Sequence, residues 1–220
     1  AHVEFARRYD WRDVPLPSTW GEEHVHKPGM NRREAATYNA LSEEDVRQAV
    51  AHYWALNEEL DYNIGRILDA LSRSGQEENT LVVCTTDHGE LLGDHHMFIK
   101  GWMPYEETHR IPMMARWPGY IRAGGRARQL VQLHDWAHTF CALAGAEPLP
   151  YADGISLEPI LADPAGVPSR EAIMNTYYGG EFLYTQRILI TAQHKYVFNG
   201  FDIDELYDLE DDPREQVNRV

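Results

Sequence analysis

Asp87 and His88 stand side by side in Thr86-Asp87-His88-Gly89, a carboxylate and an imidazole at one point of the chain. Together they can offer an oxygen and a nitrogen to a divalent cation. The dipeptide alone is a weak signal, because an Asp that ends a strand beside a surface His is written the same way. Its neighbours strengthen it: Gly93-Asp94-His95-His96 and then Lys100-Gly101 put two imidazoles and an ammonium within a loop's length of Asp87. Lys100 can serve as a point charge against a tetrahedral oxyanion, and His95 as a proton donor near neutral pH. Taken singly, each of these is more often a solvated loop residue.

Groups of this kind need a rigid frame. Thr80 to Thr86 is a continuous β-branched run, which predicts a strand covered on both faces in an α/β sheet. Asp87 follows directly, where open α/β sheets bind ligands beyond the carboxyl ends of their strands. Upstream, Ser42 is placed to cap a helix, with Asp45 reaching back and Leu41 stapled against Val46. Apolar residues from Val46 to Leu71 recur in steps of three and four until Ser74-Gly75 ends the pattern. Gly65 costs this helix about 1 kcal/mol relative to Ala, so close packing is expected there. Helix, turn and strand thus read as one crossover unit.

Ile111 to Trp117 predicts a second strand closed by Pro118-Gly119, and Asp135 a capped helix ended by Gly145. Residues 1 to 40 are broken by Pro and Gly and read as an extended surface arm. A Pro- and Gly-rich stretch from Pro148 to Pro168 suggests a boundary near residue 165. After it, Ala172 to Tyr178, Phe182 to Thr191 and Lys195 to Phe198 predict a small antiparallel sheet, followed by an acidic tail anchored by Leu206, Tyr207 and Leu209.

Composition narrows the function. The chain has 220 residues, 43% hydrophobic and 25% charged, which argues against a disordered or fibrous protein. Its apolar runs fall well short of the roughly 20 residues of a membrane span, so no membrane is expected as a partner. A net charge of −15 repels polyanions, and no nucleic-acid partner is expected. An anionic small substrate then needs a cation and placed Lys or Arg residues to invert the local field. Cys84 and Cys141 make no disulfide scaffold, and neither compartment, cytoplasmic or periplasmic/secreted, nor oligomeric state is fixed. With no leader pattern at Ala1-His2, the chain reads as a piece of a longer protein.

Taken in order, these blocks resemble the second half of the sulfatase family, within the alkaline-phosphatase-like superfamily. The resemblance is carried by Thr80 through His95, Lys100-Gly101, Tyr105-Glu106-Glu107, Arg110-Ile111-Pro112 and Arg116-Trp117-Pro118-Gly119. Upstream it continues through Tyr53-Trp54-Ala55 and Ile64-Gly65-Arg66-Ile67-Leu68. Downstream it takes in Asp135-Trp136-Ala137-His138-Thr139, Leu143-Ala144-Gly145, Asp153-Gly154-Ile155-Ser156-Leu157, Lys195-Tyr196-Val197 and Glu205-Leu206-Tyr207-Asp208-Leu209 with Asp212-Pro213. It implies an α/β fold: residues 1–165 as part of a mixed sheet flanked by helices, and residues 166–220 as a small C-terminal subdomain with an antiparallel sheet.

The activity so implied is metal-dependent hydrolysis of sulfate esters, with a formylglycine nucleophile and one divalent cation. Asp87 and His88 match metal-ligand positions, Lys100 the lysine that contacts sulfate, and His95 a position near the site. Calcium is the family's usual ion. His88 stands where some members have Asn, and its softer nitrogen leaves Mn2+, Mg2+ or Zn2+ as alternatives, together with a phosphonate or phosphate ester as substrate. Tyr177, Tyr178 and His194 fall where the C-terminal sheet of some members lines the substrate pocket. Asp135 is expected as a helix cap, Arg110 and Arg116 as ion-pair partners and Tyr184 as a core or interface aromatic.

One departure limits the implication. The family's Cys-x-Pro-x-Arg motif is absent: Cys84 is followed by Thr85-Thr86-Asp87, Cys141 by Ala142-Leu143-Ala144, and Pro168-Ser169-Arg170 only imitates the motif's tail. The chain therefore reads as the half that supplies metal ligands and a sulfate-binding lysine but not the attacking group. It is expected to be inactive alone, with the N-terminal half of the same protein as partner and a sulfated small molecule or carbohydrate as substrate. A non-catalytic remnant is the reading from a different class.

Overall fold

In the computed structural model, residues 1–180 and 183–220 are described. Two short helices, α1 (Val3–Ala6) and α2 (Gly29–Ala36), precede a long one, α3 (Glu43–Arg73). Its start follows the predicted chemistry: the Ser42 hydroxyl accepts from the Asp45 backbone N–H, and the Asp45 carboxylate accepts from the Ser42 N–H at 2.8 Å. Val46 is fully buried, whereas Leu41, expected to staple against it, is exposed. Burial follows the apolar stripe through Val50, Ala51 and Ala55 and then stops, leaving Leu56, Leu60, Ile67 and Leu68 exposed. Gly65 lies in that open half with nothing within 4 Å of where a Cβ would sit, so the close packing expected there does not occur.

Residues 1 to 40 are not an extended arm. Val14 packs with Val46, Val50 and Ala51 under Tyr9, Trp11, Leu16 and Trp20, and Thr19, His24, Lys27 and Asn31 are buried as well. The aromatics that break the periodicity of this segment are the surface it buries.

The strand before Asp87 is β1 (Val82–Thr85), and it pairs antiparallel with β2 (Met113–Arg116), Thr85 opposite Met113 and Val82 opposite Arg116. Between them lies one turn of helix, α4 (Glu106–His109). Among the described residues β1 has no neighbour on its other edge, and with Val82, Val83 and Cys84 half-buried and Thr85 exposed it is not covered on both faces. Leu81, Val83, Met113 and Ala115 pack against Trp136, Leu157 and Ile160, which come from α5 (Asp135–Leu143), the following loop and α6 (Glu158–Ala162). Asp135 is the first residue of α5 rather than its cap. It is fully buried, accepts hydrogen bonds from the backbone N–H groups of Gln132 at 2.7 Å and Ile155 at 3.0 Å, and pairs with Arg170.

A second sheet is antiparallel in the order β3 (Ala172–Tyr177), β4 (Gln186–Thr191), β5 (His194–Asn199) and β6 (Glu205–Asp208). Phe182, the expected start of the middle run, lies outside the described residues. Within the expected acidic tail the chain forms a fourth strand, β6. Its Glu205 and Tyr207 are buried and its acidic side chains have local donors: Tyr207 hydroxyl and Asn199 Nδ2 both donate to Glu205. Ile188, Ile190 and Val197 form the apolar core of this sheet. Beside them Lys195 is fully buried, with Nζ 2.8 Å from both Glu106 and Glu215 and donating to the Pro104 carbonyl at 2.9 Å. Burial of that ammonium is tolerable only because each neighbour answers it. No helix among the described residues is long and apolar enough to cross a membrane.

Candidate active site

The Asp87-His88 turn is held from below. Gly89 N–H donates to the Thr108 carbonyl at 2.9 Å, and a Cβ on Gly89 would sit 1.8 Å from the Glu107 carbonyl oxygen. Only glycine lets the turn rest on α4 at that distance. Above it, the Asp87 carboxylate accepts from His88 N–H at 3.1 Å and remains largely exposed. Its pKa is held below the ordinary carboxylate value, chiefly by a hydrogen bond from its own backbone N–H.

His88 Nδ1 lies 2.7 Å from the Gly89 carbonyl, and an acceptor there requires the proton on Nδ1. Nε2 therefore carries the lone pair, and Lys100 Nζ donates to it at 2.8 Å, with Asp87 Oδ2 3.6 Å from the same nitrogen. The tautomer that frees Nε2 is the one a metal ligand uses, with a carbonyl fixing the ring from behind. An exposed carboxylate and an imidazole lone pair thus fit a divalent cation. Among the described residues no group of three or more His, Cys, Asp or Glu side chains is arranged to hold a metal ion, so the pair is an incomplete shell.

Lys100 reaches His88 from the loop 91–99, which is closed by Leu91 N–H to the Ile99 carbonyl at 3.2 Å and Gly93 N–H to the Met97 carbonyl at 2.8 Å. Leu92, His95, His96 and Ile99 all have positive φ, a conformation that non-glycine residues hold only when their surroundings enforce it. The enforcement is visible. His96 lies tilted against Trp20 with centroids 4.0 Å apart, and Thr19 Oγ1 both donates to Asp94 at 2.7 Å and accepts from His95 N–H at 2.8 Å.

His95, expected from the sequence to meet the leaving group as a proton donor, is fully buried. Its Nδ1 lies 2.6 Å from Glu22, its Nε2 3.4 Å from Glu107, and its ring stacks on Tyr105 at 3.7 Å. Burial pulls its pKa down, but the carboxylates of Glu107 and Glu22 outweigh that and leave it raised. The ring bridges the N-terminal segment and α4 as a strut. Lys27, also fully buried, completes it with Nζ 2.5 Å from Glu22 and 4.7 Å from the Tyr105 ring centroid. Sequence reading missed Glu22, Lys27 and Glu107 here: Glu22 lies 73 residues before His95, and Glu107 comes from a separate element, α4, so neither leaves a local signal.

A wide cleft lined by Asp87, His88 and Lys100 continues past Trp102, His109, Asn175, Tyr177 and Tyr178. His194 does not line it; it sits half exposed at the start of β5, 3.9 Å from Asp208. Tyr184 is buried, as expected of a core aromatic, and Arg116 pairs with Glu77 while Arg110 reaches Glu106 at 3.9 Å. A polar chain missed in the sequence also lines the cleft: Gln132 Nε2 donates to Asn175 Oδ1 at 2.9 Å, and Asn175 Nδ2 donates to His109 Nδ1 at 2.8 Å. Burial holds His109 neutral, with its pKa lowered to about 4.

The sulfatase family matches residues 20–146, and the family described as N-sulphoglucosamine sulphohydrolase, C-terminal, matches residues 93–220. The chain belongs to the sulfatase family. It is 32% identical over 206 residues to an N-acetylglucosamine-6-O-sulfatase of Bacteroides thetaiotaomicron, covering 90% of this chain and 37% of that protein. It is 38% identical over 226 residues to the uncharacterized sulfatase YidJ of Escherichia coli, covering 99% of this chain and 43% of the relative. Among solved structures, one in complex with its substrate D-glucosamine-2-N,6-O-disulfate superposes with a TM-score of 0.75 at 31% identity, over 86% of this chain and 40% of that one. The fold is that of the alkaline-phosphatase-like sulfatases, and the chain spans less than half the length of these relatives.

Proposed function

We propose that this sulfatase-family chain is the C-terminal half of a hydrolase of sulfate esters, its substrate a sulfated carbohydrate. The observation that carries the proposal is that Asp87 Oδ2, at 3.6 Å, and Lys100 Nζ, at 2.8 Å, both approach His88 Nε2 in the lining of one cleft. Asp87 and His88 hold a divalent cation, calcium first, with Mn2+, Mg2+ or Zn2+ as the alternatives that a nitrogen ligand brings in. A cation there neutralises charge on the sulfuryl oxygens. Lys100, exposed beside it, contacts the same oxygens as a fixed positive charge. The His95 strut and Gly89 keep that lysine and the ligand pair in register.

The attacking group, a formylglycine, belongs to the N-terminal half of the same protein, which is the partner this chain requires. The bare distal stripe of α3 and the unpaired edge of β1 support that requirement, since an apolar face and a strand edge both call for a cover. The carbohydrate substrate is supported by the amino-sugar substrates named for the relative and the solved complex. His88 also favours a second reading, a phosphonate or phosphate ester hydrolase, because a nitrogen ligand suits the softer divalent ions.

Both readings meet one experiment. The chain joined to its own upstream sequence is assayed on an aryl sulfate and an aryl phosphonate ester, as wild type and Lys100→Ala. Preferred turnover of the sulfate, reduced about 100-fold or more in the variant, is expected. Preference for the phosphonate, or turnover indifferent to Lys100, overturns the sulfatase reading.

A further inference from the structure

The cleft carries positive charge that the Asp87 end does not use. Arg122, Arg126 and Arg128 fall within seven residues of a loop that follows β2, are exposed, and line the same cleft as Lys100. Arg110 and Arg116, also in the cleft, each have a glutamate partner. Among the described residues the other three have none, in a chain whose net charge is −15. With acids in such excess, three neighbouring guanidiniums without one mark a surface that faces an anion from outside.

The loop presents them from a fixed base. Gln129 Nε2 donates to the carbonyls of Pro164 and Val167, both at 2.6 Å, Leu130 N–H donates to Ser169 Oγ at 3.0 Å, and Arg170 Nε donates to the Leu130 carbonyl at 3.1 Å. A turn at Gly124, φ +72°, closed by Gly125 N–H to the Arg122 carbonyl at 3.3 Å, sets Arg122 and Arg126 on neighbouring arms. β2 leaves the Asp87 end at Met113, opposite Thr85, and reaches Arg116, opposite Val82, so the loop begins about 10 Å farther along the cleft. A small monoester held at Lys100 does not span that distance, whereas an extended chain does.

We propose that Arg122, Arg126 and Arg128 form an anion-binding extension of the cleft that takes further sulfate groups of a polysulfated carbohydrate chain. The choice of sulfate as the anion rests on the sulfatase reading; the planar, weakly hydrated guanidinium forks match its tetrahedral oxygens.

The test uses the chain joined to its own upstream sequence on immobilised heparin, a polysulfated polysaccharide, across a salt gradient. Arg122→Gln/Arg126→Gln/Arg128→Gln is compared with wild type and with Arg7→Gln/Arg73→Gln, which removes exposed arginines elsewhere. Wild type and the control are expected to be retained, with affinity falling as salt rises; the triple variant binds about tenfold or more weakly with a shallower salt dependence. An unchanged urea midpoint shows that the triple variant is folded. The proposal is overturned if wild type is not retained at low salt, if the triple variant binds like wild type, or if duplex DNA of equal charge competes as well as heparin. Heparin retention needs no turnover, so a protein that ignores heparin while it hydrolyses an aryl sulfate sinks this inference and leaves the activity standing.

Discussion

Gly89→Ala is the substitution whose consequence the structure fixes most tightly. The new Cβ would lie 1.8 Å from the Glu107 carbonyl oxygen, against the 3.0 Å below which real Cβ contacts are essentially never found. The turn must therefore move by at least 3.0 − 1.8 = 1.2 Å. That displacement breaks the 2.9 Å hydrogen bond from Gly89 N–H to the Thr108 carbonyl. Overpacking strain costs about 1–3 kcal/mol and the lost hydrogen bond about 0.5–1.5 kcal/mol, so roughly 2–4 kcal/mol in all. Gly65→Ala is the matched control: helical, with nothing within 4 Å, it should stabilise the chain by about 1 kcal/mol. Urea denaturation reads both, and the two midpoints should move in opposite directions, Gly89→Ala downward by about 1 M or more. A Gly89→Ala midpoint equal to wild type, or a Gly65→Ala loss of the same size, refutes the reasoning.

Other consequences follow from the buried charges. Lys195→Met leaves Glu106 and fully buried Glu215 facing each other without their cation, and a loss of about 3–5 kcal/mol in urea is expected; a midpoint within error of wild type contradicts it. His24 and His109 are each held down to about 4 by burial, below the ordinary 6.5, so their contribution to stability is present above pH 6.5 and lost as pH falls toward 4. The urea midpoint should therefore drop over that window, and His109→Gln should flatten the drop; an unchanged slope argues against a buried neutral imidazole. His95 has the opposite sign: raised above 6.5, its contribution is complete below that pH and lost as pH rises through its folded value. Glu22→Gln should diminish that alkaline decline, leaving the part that Glu107 supplies, and a decline of undiminished size in the variant would assign it elsewhere.

Local chemistry was readable in the sequence where a single element decides it. Ser42 and Asp45 meet within one turn of helix, and the reciprocal cap forms as their spacing dictates. The same holds for β1 and for the Asp87-His88 turn at its end, since β-branched residues and a Gly-flanked pair act over a few positions. What failed depended on partners far along the chain. Trp11, Trp20 and Lys27 read as surface because their cover, α3 and Tyr105, lies elsewhere in the sequence. His95 had the composition of a loop histidine, and only the arrival of Glu22 and Glu107 makes it a buried strut. Gly65 erred in the other direction: a glycine implies closeness only if something approaches it, and the apolar half of α3 around it is bare.

The central claim is that Asp87 and His88 form a cation site set against Lys100. It is tested most directly by long-range 1H–15N spectra of the imidazoles as Mn2+, a paramagnetic probe, is added to the chain. Of the eleven histidines, His88 should broaden first and at its Nε2 signal, and Asp87→Asn should shift that broadening to higher Mn2+. If His88 stays sharp while other histidines broaden, or if Asp87→Asn changes nothing, Asp87 and His88 are not the cation site.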